Sequence, residues 1–125
     1  MWQGVTCAVL VIVVAIGGRE VRAQSQSPRI RPESAAMRAL IDSGMERSAT
    51  FRALSAGLDN ARVIVYVRFS PCSRGVPACL VWASADADAR RLLIKLDRFG
   101  RSPDELTALL AHELQHATEV ASDPD

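Results

Sequence analysis

Ser102-Pro103-Asp104-Glu105 opens the one stretch of this chain whose local structure is dictated by adjacent residues. A serine at the N-cap accepts from a backbone N–H three residues on. Proline suits the first helical position, and glutamate at the third completes a capping box. No Gly or Pro interrupts residues 106–121, so the spacing predicts a helix of about four turns. Leu106, Leu110, Leu114, Ala117 and Ala121 form a single stripe along it. A helix with one apolar stripe is stable only when another layer covers that stripe, so the fold class depends on what the upstream chain provides.

Residues 61–69 change the period from helical to alternating. Val63, Val65, Val67 and Phe69 share one face of a predicted strand. A loop with two prolines and Gly75 follows over 70–77, then a second strand over 78–83, a turn at 86–88 and a third strand over 90–96. Their short connections predict antiparallel neighbours. Before the strands, Ala36, Met37, Leu40, Ile41 and Met45 recur at helical spacing over 33–47, with Gly44 weakening the end. Residues 50–56 continue as a short second helix, with Gly57 a natural stop. Residues 24–32 are polar and bear two prolines, so they read as a flexible lead-in. The expected fold is α+β: two N-terminal helices, a small antiparallel sheet, and the capped helix packed on it.

Composition narrows the class of protein without naming an activity. With 125 residues and 49% of them apolar, the chain suits one small folded domain and excludes collagen-like, low-complexity and wholly disordered readings. A net charge of +1 gives no bulk attraction to nucleic acid or anionic membrane. Residues 7–16 are an unbroken apolar run, and Val21-Arg22-Ala23 offers a cleavage site before Gln24. This matches a secretory signal peptide over 1–23, although no Lys or Arg occurs in residues 1–6. The run is too short for a span, which needs about 20 apolar residues, so no stable membrane anchor is expected. In an exported chain Cys72 and Cys79 remain as an even pair with six residues between them. A disulfide across a strand–loop–strand connection is the expectation, with two free thiols or a metal pair as alternatives.

The chemistry-bearing residues all lie on the capped helix. His112-Glu113-Leu114-Gln115-His116 is an H-E-x-x-H motif, and it uses both histidines of the chain. Four helical residues leave the two imidazoles about 40° apart and one turn up, so both can reach one tetrahedral zinc ion. Both point away from the apolar stripe. Glu113 lies about 100° round from His112, where it can act as general base toward a zinc-bound water. The plain alternative is two solvent-facing histidines on an ordinary amphipathic helix.

At this motif the chain resembles the zincin superfamily of metallopeptidases, and Ala111-His112-Glu113-Leu114-Gln115-His116-Ala117 is most similar to small gluzincin-type members. The resemblance implies that His112 and His116 are ligands of Zn²⁺ and that Glu113 is the catalytic base. It implies also that an edge strand, expected at 92–96, holds an extended peptide substrate. Gluzincins take a third ligand, a Glu, from a later helix, and only nine residues follow His116. The domain over 33–125 is therefore expected to be incomplete. The metzincin pattern asks for glycine at 119 and histidine at 122, where this chain has Glu119 and Ser122. Glu119, about 20° from the direction of His112, is the nearest substitute ligand or a contact to a ligand imidazole. The expected function is an exported zinc-dependent metallopeptidase. The alternative is a non-catalytic secreted binding or structural domain in which the motif is inactive or incidental.

Overall fold

The computed structural model describes residues 29–123. The expected signal peptide and the start of the lead-in lie outside the described residues. In chain order the elements are β1 (Ile30–Pro32), α1 (Ala35–Arg47), α2 (Ala49–Asp59), β2 (Val63–Phe69), β3 (Ala78–Ala85), β4 (Arg90–Leu96) and α3 (Pro103–Ser122). The class is α+β, with three helices and one four-stranded sheet among the described residues.

The sheet is mixed, which corrects the antiparallel expectation. Its order is β1-β2-β4-β3. β1 and β4 both run parallel to β2, and only β3 is antiparallel, to β4. The tight turn at 86–89 makes β3 and β4 a hairpin, as the short connection required. The hairpin then docks with β4, not β3, against β2. Burial explains that choice. β4 places Leu92, Ile94 and Leu96 on one face, all fully covered, and Leu93 on the other. β3 is exposed from Val81 onward. A strand with three fully buried residues on its inward face gains most from a central position, so β3 is left as the edge.

Residues 30–32 were expected to be part of a flexible lead-in and instead form β1. One side chain anchors them: Ile30 is 3% exposed and sits beside Val65 in the core cluster. Main-chain bonds complete the strand, Val65 N–H donating to Arg29 O at 2.7 Å and Glu33 N–H to Val67 O at 3.0 Å. Pro32 is tolerated because β1 lies at the sheet edge, where a missing donor costs no ladder bond.

Ser48 separates the first two helices by serving both. Its N–H donates to Gly44 O at 3.0 Å, ending α1, and its hydroxyl accepts from Phe51 N at 3.1 Å, starting α2. Gly44 is required there: a Cβ would stand 2.8 Å from two atoms of the Phe51 ring, which is fully buried. Gly57 does not stop α2, which runs to Asp59. Leu58, fully buried, repays the extra turn, and the bare Gly57 admits Thr118 of α3 within van der Waals reach.

α3 begins as its sequence requires, with the Ser102 hydroxyl accepting from Glu105 N at 3.2 Å and Pro103 in the first turn. Its stripe of Leu106, Leu110, Leu114 and Ala117 meets Val65, Val67, Leu92, Ile94 and Leu96 in one core with Met37, Ile41 and Phe51. All of these sheet residues point to the same side, so the three helices cover one face of the sheet.

Candidate functional site

α3 lies along β3 and β4, and two contacts set its direction. Its N-terminal half meets Pro77, just before β3, in a groove of about 370 Å³ lined also by Arg101, Glu105, Ala108 and Leu109. Its C-terminal end is tied to β4, Arg90 Nη1 donating to Val120 O at 2.8 Å. Arg90 pairs with Ala85, the last residue of β3. β3 and α3 therefore run side by side in the same direction, and the opposite flank of α3 meets α2 through Thr118 and Gly57.

This placement decides which flank each motif residue occupies. On an ideal helix His116, Leu109 and Glu113 lie about 40°, 60° and 100° round from His112, and Thr118 about 240°. Leu109 marks the flank toward β3, so His116 and Glu113 turn to that side. Glu113 falls between the histidines and the core stripe. It is only 7% exposed and is the one charged residue among the buried described residues. A glutamate is rarely buried at random.

His112 and His116 are both exposed, and their rings meet edge to face with centroids 4.6 Å apart at 89°. Their two Nε2 atoms converge to 3.1 Å. Two nitrogens bound tetrahedrally at about 2.0–2.1 Å from one zinc ion would stand roughly 3.3–3.4 Å apart. The pair thus fits two positions of such a shell with a shift of a few tenths of an ångström. A third donor is missing: no group of three His, Cys, Asp or Glu residues able to hold a metal occurs among the described residues. Glu119 does not complete the set. Its Oε2 lies 3.1 Å from His116 Nδ1, the far side of that ring from the point where the Nε2 atoms meet.

The expected substrate strand at 92–96 is β4, which lies inside the sheet. Among the described residues, the free edge next to α3 is β3. Trp82 on β3 stands opposite Leu92, hence on the helix side of the sheet, and is 54% exposed. Its isolated aromatic character was visible in the sequence; its edge position depended on strand order. Ladder register breaks between Trp82 and Ser84, a bulge of the kind that re-aims a side chain. Cys72 and Cys79 form a disulfide, which clips the 70–77 loop to the first residues of β3.

The chain matches no family model, no curated protein and no solved structure.

Proposed function

We propose that this chain carries the H-E-x-x-H half of a zinc-dependent, zincin-like metallopeptidase site, with His112 and His116 as ligands and Glu113 as general base. The observation that carries the reading is the convergence of the two Nε2 atoms to 3.1 Å on the helix that also holds the buried Glu113. Zinc bound there would lower the pKa of a water and polarise a peptide carbonyl. With zinc bound, Glu113 would take the proton of the attacking water and pass it to the leaving amine. An extended peptide pairs with the free N–H and C=O groups of β3. The apolar run at 7–16 and the Cys72–Cys79 disulfide support an exported, oxidising setting.

The test uses the purified chain. Zinc content and affinity are measured for the native protein and for His116→Ala, and equal, negligible binding in both refutes the metal claim. Glu113→Gln should retain zinc and lose peptide hydrolysis by about 10²-fold or more.

The donor count favours a second reading, a secreted non-catalytic domain, because residues 29–123 supply two converging imidazoles and no third ligand. That reading predicts the same melting temperature in zinc and in chelator, since a ligand binding only the folded state must raise stability.

A further inference from the structure

The contact between Glu119 and His116 goes beyond the motif, and it has a direction. Glu119 Oε2, His116 Nδ1, His116 Nε2 and His112 Nε2 form a continuous line with two polar contacts, each 3.1 Å. A carboxylate can only accept, and a neutral imidazole has one N–H. In a neutral His116 the proton therefore sits on Nδ1, facing Glu119, and Nε2 keeps a bare lone pair. With both rings neutral, the second contact has His112 donating its Nε2–H to His116 Nε2, whereas a protonated His116 would donate in the opposite direction. The two histidines, alike in sequence, are unequal when both rings are neutral. His116 is already in the form a metal needs, whereas His112 must first move its proton to Nδ1.

We infer that Glu119 is a positioning residue that holds His116 as its Nδ1–H tautomer with Nε2 presented toward a divalent transition metal such as zinc. The tautomer part stands on the two contacts alone, and the metal part rests on the function proposed above. The arrangement follows from helix geometry: residues three apart are neighbours on one face, and Glu119 is three beyond His116. A carboxylate behind a ligand imidazole both orients the ring and raises its basicity, and losing such a partner typically costs 10–100-fold in metal affinity. The His116 and Glu119 side chains are 47% and 61% exposed. Solvent competes for both groups, which puts the effect at the low end, about 10-fold.

The experiment reads the tautomers directly. The chain is labelled with ¹⁵N-histidine, stripped of metal, and held near pH 8.5, about two units above the ordinary imidazole pKa. Long-range ¹H–¹⁵N spectra then assign the protonated nitrogen of each ring in the native protein, Glu119→Gln and Glu119→Ala, with zinc affinity measured on the same samples. The expected result is Nδ1–H on His116 and Nε2–H on His112 in the native chain. Loss of the fixed His116 tautomer is expected in Glu119→Ala, with zinc affinity about 10-fold lower. A His116 tautomer unchanged by Glu119→Ala overturns the inference. So does a tautomer that changes while zinc affinity stays within twofold. If the native chain binds no zinc but its His116 tautomer depends on Glu119, the metal reading fails and the positioning contact stands. Far-UV circular dichroism of each variant confirms that the exposed substitution leaves the helix intact.

Discussion

Reducing the Cys72–Cys79 disulfide should destabilise this domain by an amount its loop length sets. The bridge closes a ring spanning a sequence separation of 7. The chain-entropy relation gives about 8 cal/mol/K for a ring of that size, or roughly 2.4 kcal/mol at 25 °C. For a domain of about 100 residues each kcal/mol shifts the melting temperature by about 4–8 °C, so reduction should lower it by about 10–20 °C. Both cysteines are only partly buried, so a small thiol reaches them in the folded protein. The assay is calorimetry of the native chain with and without reductant, beside a Cys72→Ser/Cys79→Ser variant in both conditions. The reduced native protein and the variant should melt together, and the variant should ignore the reductant. A drop under about 3 °C, well short of the entropic figure, would mean that packing of 70–77 holds β3 without the bridge and would refute the argument.

Gly44→Ala sets two effects against each other. The helix propensity gain is about 1 kcal/mol, and the collision with the fully buried Phe51 ring costs about 1–3 kcal/mol. Net destabilisation in urea titrations is expected, and restoration by Phe51→Leu in the same background would confirm the cause. Asp86 supplies a pH test. Backbone N–H donation from Ala89, then the Arg91 guanidinium, then the Asp88 N–H hold its carboxyl at about 2 against an ordinary 3.8. Because the folded value is the lower one, the stability it contributes is present above pH 3.8 and fades as the pH falls toward 2. The stability gap between the native chain and Asp86→Ala, followed by acid titration of unfolding, should narrow over that window and not at higher pH.

Much of the candidate site was legible in the chain itself. The capped start at Ser102, the unbroken run to Ala121 and the four-residue spacing of His112 and His116 are properties of one helix, and local residues determine them. The positions of β2, β3 and β4 were legible for the same reason, since alternation in Val63, Val65 and Val67 needs no partner to be recognised. Gly57 misled because a stop signal is a local cost. The burial of Leu58 and the close approach of Thr118 outweighed that cost.

Tertiary structure decided everything that depends on comparing distant segments. Ile30 became a strand because a core position beside Val65 was open to it, a fact absent from its polar surroundings. β4 took the centre and β3 the edge because burial is summed over both faces of every strand at once. That order put Trp82 and, among the described residues, a free strand edge alongside the histidine helix. The sequence alone determined which residues could meet around the motif. Packing of the sheet against α3 determined which faces they present, because a side chain's direction on a helix is local and its surroundings are not.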